Sequence, residues 1–144
     1  MKKYVLGNLE EWDKALDVLG EIEKNKLLDE YQKELIYMIR YNDNWRLREA
    51  AIEASRAVNN PDQELINELL SVMKNEGIYV DARIMATDAI GRIIANTSNN
   101  DACDQDEICK MKARADECLT NLAKCPQVPV FLEMITKTQE RIKS

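Results

Sequence analysis

The sequence contains no histidine and few of the residues that interrupt helices or build β-sheets. Its 144 residues include four glycines, three prolines and one phenylalanine, against 13 alanines and 32% charged residues. β-rich folds need more turn residues and more β-branched and aromatic side chains than this. The composition therefore predicts an all-α protein of one domain, residues 1–144, which is long enough to bury a core.

The same scarcities exclude several classes of function. Without histidine, an imidazole base, a Ser-His or Cys-His nucleophile pair and a histidine-bound metal are all impossible. The four glycines never cluster, so no phosphate-binding loop or dinucleotide turn is encoded. A net charge of −6 disfavours nucleic acid and anionic lipid as partners, because both attract clustered Lys and Arg. We expect a protein that is not an enzyme and that carries no metal or other cofactor.

Long hydrophobic runs are also absent from the sequence. No apolar stretch approaches the roughly 18 residues that cross a bilayer. The start, Met1-Lys2-Lys3, is followed by only four residues, 4–7, before Asn8, whereas a signal peptide needs an apolar region of about 7–15 residues. We therefore expect a cytoplasmic protein with no membrane partner.

Apolar residues recur at helical spacing in about seven segments. The predicted helices are residues 9–23, 29–41, 45–58, 61–75, 80–96, 104–124 and 130–142, with the longest loop at 97–102. Asn60, Pro61 and Gln63 suit a cap, a first helical position and a capping-box residue, and Asp104 with Glu107 suits another capping box. In the last helix, Phe131, Leu132, Ile135 and Ile142 are predicted to face inward.

The chain is also similar to itself. Residues 48–54 (REAAIEA) align with 83–89 (RIMATDA) at an offset of 35, and 15–22 (ALDVLGEI) align with 86–93 (ATDAIGRI) at an offset of 71. Both offsets lie close to a multiple of 35, which indicates a repeated unit of about 35 residues. Small residues on its second helix, Ala51, Ala54, Ala86 and Ala89, allow helices to pack closely. Such pairs stack on their neighbours as an α-solenoid.

The repeat resembles a known family. Residues 42–51 (NDNWRLREAA) followed by 59–62 (NNPD) are similar to HEAT repeats of the phycobilisome-lyase-like type, which have an acidic turn, an aliphatic-Arg pair, small residues on the second helix and a Gly-Asp-Pro-Glu-like closing turn. The resemblance is best over about 29–96. It implies a short right-handed α-solenoid of about seven helices. Its parts would be a half repeat at 9–28, repeats at 29–60 and 61–97, and divergent capping helices at 98–144.

Arg48 and Arg83 occupy the same place in successive units. Each could face a ligand. In the family pattern, however, this position is structural, so we expect each arginine to bond the turn or the carbonyls of the adjacent unit.

Three carboxylates, Asp17, Glu53 and Asp88, recur at equivalent positions and are predicted to form a row on the exposed face of the second helices. Arg46, Arg56 and Arg92 should lie near the row. The resemblance implies that this face is concave and binds partners. The alternative interpretation is a solvated surface needed only for solubility. Exposed aromatic residues at repeat turns, Trp45 and Tyr79, are further candidates for partner contact.

The four cysteines and a group of acids lie in the last third of the chain. Cys103, Cys109, Cys118 and Cys125 lack the tight pair that structural zinc sites use, so no zinc site is predicted. Cys118 and Cys125 suit core thiols, whereas a bridge or redox role stays open for Cys103 and Cys109. The acidic residues at 99–107 lack the glycine and ligand spacing of an EF-hand, and helix capping is the better interpretation.

The leading functional hypothesis is a non-enzymatic interaction or scaffold module that binds another protein, with a basic or amphipathic segment, on its concave face. The alternative is a regulatory or accessory subunit of an enzyme, which the resemblance to lyase-like HEAT proteins implies. A third is a structural element of a longer array.

Overall fold

The structure, a computed structural model, describes residues 6–143. Residues 1–5, on which the argument against a signal peptide depends, lie outside the described residues. So does Ser144, the last residue of the predicted C-terminal capping helices. Within 6–143 the chain is all-helical with no strand, which confirms the all-α prediction. The helices are α1 Trp12–Lys24, α2 Gln32–Arg40, α3 Trp45–Ser55, α4 Gln63–Lys74, α5 Val80–Ser98, α6 Gln105–Ala123 and α7 Pro129–Lys143, and a 3₁₀ turn, Leu28–Tyr31, leads into α2.

The helices pack in two rows. One row runs α1, α3, α5, α7 and the other runs α2, α4, α6, and the pairs α2 with α3, α4 with α5 and α6 with α7 join the rows. Short connections join the partners of each pair, so they run in roughly opposite directions. These contacts are the ones expected of stacked helical hairpins. The right-handed superhelix and the repeat boundaries stay predictions.

The core lies between the two rows. The small residues that the sequence predicts at close helix contacts in α3 and α5 lie in this core, because a 3.6-residue spacing sets one face of each helix inward. Small residues at the closest helix contacts, including Ala51, Ala86 and Ala89, have no exposed surface, and Ala54 has very little. The fully buried larger side chains include Ile22, Leu35, Ile39, Leu47, Leu65, Leu69, Ile90 and Phe131.

Two core predictions in the last third are wrong. Leu132 is 40% exposed and lies near two other exposed apolar residues, Val128 and Val130. Cys125 is exposed and Cys118 is partly exposed, so neither is a fully buried thiol. Both α6 and α7 lie at the end of the packed rows, where a helix has neighbours on fewer sides and hydrophobic periodicity overstates burial.

Several helix bounds differ from the predictions by a few residues. The first helix begins at Trp12 rather than at 9, and α3 ends at Ser55 rather than at 58. The fifth helix continues to Ser98, so the loop before α6 covers residues 99–104. Its last turn tolerates Thr97 and Ser98 because their hydroxyls donate to the carbonyls of Ile93 and Ile94, four residues back.

The cap predicted for α4 is wrong. The helix begins at Gln63 with Asp62 as its N-cap residue, and Asp62 makes no side-chain cap bond. A residue of α2 supplies side-chain bonds to this turn instead. The Gln32 Oε1 accepts from the Asp62 N–H at 2.6 Å, and the Gln32 Nε2 donates to the Asn60 carbonyl at 3.0 Å. The Asp29 carboxylate accepts from the Asn60 N–H at 2.7 Å. The α3–α4 turn is therefore held by the preceding helix.

Asp104 caps α6 as predicted, since its carboxylate accepts from the Asp106 N–H at 3.0 Å, but among the described residues no bond from Glu107 to the Asp104 N–H completes the predicted capping box. None of the helices within residues 6–143 combines the length and the hydropathy that a membrane span requires.

Candidate functional site

Arg48 and Arg83 are buried and make equivalent bonds. The Arg48 Nε donates to the Ile39 carbonyl at 2.9 Å, and the Arg83 Nε donates to the Met73 carbonyl at 3.0 Å. Each arginine therefore satisfies a carbonyl at the C-terminal end of the preceding helix, where helices leave acceptors without intrahelical partners. Both residues therefore have a structural role, but the expectation of a bond to the adjacent unit is wrong, because each bonds within its own predicted repeat, 29–60 or 61–97.

The two arginines differ in one bond. The Arg48 Nη2 donates to the Asn42 Oδ1, whereas the Arg83 Nη2 is buried and has no partner among the described residues. Gly77 lies six residues before Arg83, as Asn42 lies six residues before Arg48, and it has no side chain to accept a bond. The Arg83 guanidinium instead lies over the Phe131 ring, 4.9 Å from its centroid.

A groove of about 730 Å³ crosses the row formed by α1, α3, α5 and α7. Its lining combines small side chains, which we call the floor, with polar and charged side chains. The floor is Ala50, Ala54, Ala57 and Ala95, and the polar and charged lining is Glu23, Glu53, Arg56, Arg92, Asn96 and Arg141. We call this feature the groove.

Asp88 holds three arginines beside the groove. Its carboxylate lies 3.5 Å from the Arg56 Nη1, 3.0 Å from the Arg92 Nε and 3.7 Å from the Arg141 Nη1. Only 18% of the Asp88 side chain is exposed. The expectation of an exposed carboxylate at this position is therefore wrong. Asp88 is a mostly covered anion that fixes the positions of three cations.

Glu23 and Glu53 lie near each other in the lining of the groove. Burial raises the pKa of Glu23, and the negative charge of Glu53 raises that pKa further. Among residues 6–143, no cation lies within ion-pair distance of Glu23, whereas Glu53 pairs with Arg56 at 3.3 Å. We call Glu23 and Glu53, on α1 and α3, the carboxylate edge of the groove, and Arg92 and Arg141, on α5 and α7, its arginine edge; Arg56 contacts both Glu53 and Asp88.

The structure brings together only part of the predicted site. Glu53, Arg56 and Arg92 line the groove and Asp88 lies next to it, whereas Asp17 is exposed on α1 and does not line it. The predicted row of three equivalent carboxylates is therefore replaced by a mixed cluster of both charges.

Trp45 and Tyr79 also lie outside the groove. Trp45 is 54% exposed, and the Arg46 guanidinium lies between it and Trp12, 5.3 Å from the centroid of each ring. The Tyr79 hydroxyl donates to Glu49 at 2.9 Å, and burial and this bond raise the tyrosine pKa.

Sequence reasoning missed Glu23 and Arg141. Arg141 reaches Asp88 because α7 packs closely on α5 at Gly91, where an added Cβ would lie 3.0 Å from the Thr138 Cγ2. A glycine inside a helix is a signal of close approach, and Gly91 was available as that signal. Glu23 had no such signal, since it lies outside the aligned repeat positions.

A second cavity, of about 330 Å³, lies between α4, α6 and the loop that connects α5 to α6. Its apolar lining includes Ile66, Ile108 and Met111, and its rim carries Asp104, Glu107, Lys110 and Arg114. Cys103 lines it, and its thiol lies 3.6 Å from the Asn60 Oδ1. All four cysteines are free, and within the described residues no group of His, Cys, Asp or Glu could hold a metal ion.

No family model matches the chain, and no similar curated protein or solved structure was found.

Proposed function

We propose that the protein is a short, HEAT-type repeat array that acts as a non-enzymatic cytoplasmic scaffold and binds a segment of another protein in the groove. The two helix rows and the equivalent bonds of Arg48 and Arg83 support a repeated unit. The groove crosses every helix of one row, so a segment bound there contacts all of the units at once.

The observation that carries the proposal is the carboxylate pair at one edge of the groove. Glu23 is exposed beside Glu53, and its pKa is raised first by burial of part of its surface and then by the negative charge of Glu53. A lysine or arginine from a partner, placed over this pair, removes the repulsion and makes a charge-assisted hydrogen bond. A basic or amphipathic segment is therefore the partner chemistry that fits this edge.

The alanine floor determines how such a segment fits. Because Ala50, Ala54, Ala57 and Ala95 project little, a helix or extended chain can approach the α3 and α5 backbones closely. Apolar side chains of an amphipathic segment would cover this floor while its charged residues meet the edges. Such a division between an apolar centre and a polar rim is usual in protein interfaces.

The test is a substitution that fills the groove without disturbing the core. Ala57 is exposed just after α3 and lines the groove, so Ala57→Trp should block a bound segment and leave the core intact. Proteins captured by the wild type from its native host are identified by mass spectrometry, and each is then purified and its Kd is measured directly. We expect Ala57→Trp to weaken binding of the main partner at least tenfold.

The matched control is Ala113→Trp, which adds the same side chain at an exposed position of α6 outside the groove. This control should bind as the wild type does, and both variants should keep the wild-type circular dichroism spectrum. Equal binding by Ala57→Trp and Ala113→Trp would remove the groove as the partner site.

A further inference from the structure

We infer that the arginine edge of the groove binds an oxyanion, a phosphoryl or carboxylate group carried by the same partner segment. This inference rests on the proposed function, since it assigns the chemistry of the second edge of the same groove. The segment would present a cation to Glu23 and Glu53 and an oxyanion to Arg92 and Arg141.

The first step is the convergence of the guanidiniums. Arg56, Arg92 and Arg141 all lie within 3.7 Å of the single Asp88 carboxylate. The three guanidiniums are therefore close enough together for one small anion to contact more than one of them. All three also line the groove, with 37%, 46% and 39% of their side chains exposed, so an anion in the groove can contact them.

The second step concerns which donors are used within the protein. The Arg56 Nε donates to the Glu53 carbonyl, its Nη1 donates to Asp88 and its Nη2 donates to the Glu53 carboxylate, so all of its nitrogens already have partners. Arg92 bonds both oxygens of Asp88 through Nε alone, at 3.1 and 3.0 Å. The two terminal nitrogens of Arg92 make no bond with the described residues, and they are the donors that we assign to the ligand.

The third step is the role of Asp88. A carboxylate that is mostly covered by the protein holds the arginine side chains in fixed positions, so less conformational entropy is lost when a ligand binds. Planar guanidiniums bind carboxylate and phosphate oxygens through paired hydrogen bonds. Arginine clusters of this kind recognise acidic or phosphorylated peptide residues.

The test uses inorganic phosphate and acetate as separate probes for the two oxyanions. Side-chain Nε–Hε signals of the arginines are followed by NMR while each probe is added at constant ionic strength, with chloride as the balancing ion. We expect saturable shifts of the Arg92 and Arg141 signals with at least one probe. Tighter saturation by phosphate would assign a phosphorylated residue of the partner, and equal or tighter saturation by acetate would assign a carboxylate.

The variants make the result specific. Arg92→Gln should weaken binding of the anion at least fivefold, and Arg92→Lys should restore part of it. Arg40→Gln is the control, because Arg40 is exposed and pairs with Glu68 at 3.0 Å outside the groove. Shifts that grow linearly with both probes, or that appear equally at Arg40, would overturn the inference.

The two proposals fail in different ways. Loss of the partner in Ala57→Trp without saturable anion binding would leave the proposed function intact and remove the oxyanion site. Saturable anion binding together with normal partner binding by Ala57→Trp would leave the oxyanion site intact and remove the proposed function.

Discussion

At the scale of single residues, Asp88 determines the arrangement of the groove. One carboxylate, with most of its surface covered, forms ion pairs with guanidiniums on α5, on α7 and just after α3. Reversing its charge together with those of Asp17 and Glu53 would place five cations in one cluster, at positions 53 and 88 and at the three arginines, so such a triple variant cannot separate binding from folding. Tests of the exposed acids should therefore change Asp17 and Glu53 alone.

Replacing Asp88 by Asn should destabilise the protein. The substitution keeps the shape of the side chain but removes the charge that offsets the three guanidiniums. Since those arginines are themselves partly exposed, we expect a loss of about 1–2 kcal/mol in the free energy of unfolding. Urea unfolding measures it, and Asp17→Asn, at an exposed site, should change it by less than about 0.5 kcal/mol. Equal effects of the two variants would show that Asp88 is not a structural ion-pair centre.

Glu23→Gln should have the opposite sign at neutral pH. Because the folded protein raises the pKa of Glu23 above its ordinary value of 4.5, protonated Glu23 favours folding, and that contribution is lost as the pH rises through the folded pKa. Glutamine never acquires the charge. At pH 7 the variant should therefore be more stable than the wild type, by a few tenths of a kcal/mol for so exposed a group.

Thermal unfolding between pH 3 and pH 8 checks this prediction. The gain should disappear below about pH 4, where Glu23 is protonated in both the folded and the unfolded states. Glu21→Gln changes an exposed residue of the same helix outside the groove and should give no such pH-dependent gain. A gain that is constant with pH would contradict the stated cause.

At the scale of helices and turns, the two equivalent arginines show what one missing side chain does. The Arg83 Nη2 is a buried donor without a partner, because Gly77 stands where the first unit has Asn42. A buried unsatisfied donor lowers stability by roughly 1–3 kcal/mol. This turn therefore offers a direct way to stabilise the protein.

Gly77→Asn should supply the missing acceptor and stabilise the protein by about 0.5–1.5 kcal/mol relative to Gly77→Ala. The alanine variant is the matched control, because both substitutions reduce the freedom of the unfolded chain. Both also place a Cβ 3.1 Å from the Asn75 Oδ1, which must shift slightly. Urea midpoints compare the two variants, and an asparagine variant no more stable than the alanine variant would exclude the bond.

The helices could be predicted from the sequence because their signals are local. The small-residue faces of α3 and α5 follow from spacing alone, and Ala51, Ala54, Ala86 and Ala89, which were predicted to lie at close helix contacts, are all buried. Contacts between distant elements could not be predicted. Gln32 replaces a cap 30 residues away, and Arg141 joins the groove only because α7 packs on α5, which depends on the tertiary fold.

At the scale of the whole molecule, α5 is the centre of the packing. It contacts α3, α4, α6 and α7, whereas α1 packs mainly on α3 and the 3₁₀ turn. In stacked helical repeats each unit is stabilised by its neighbours, so helices at the ends open more easily than those in the middle.

Native-state hydrogen exchange should reflect this arrangement. We expect the slowest-exchanging amides in α5 and in the parts of α3 and α4 that contact it, and the fastest-exchanging helical amides in α1. The measurement is mass spectrometry or NMR under conditions where exchange reports the free energy of opening. Equal protection of α1 and α5 would indicate that the molecule opens only as one cooperative unit.

The positions of the tryptophans and thiols allow the two ends of the molecule to be observed separately. Both tryptophans, Trp12 and Trp45, lie beside Arg46 at the starts of α1 and α3, so intrinsic fluorescence reports on that end. All four free cysteines lie at residues 103–125, in or next to α6, so the rate of alkylation reports on the other end. Unfolding of the wild-type chain followed by both signals would show whether the first and last units lose structure together, with no engineered probe and no change to the groove.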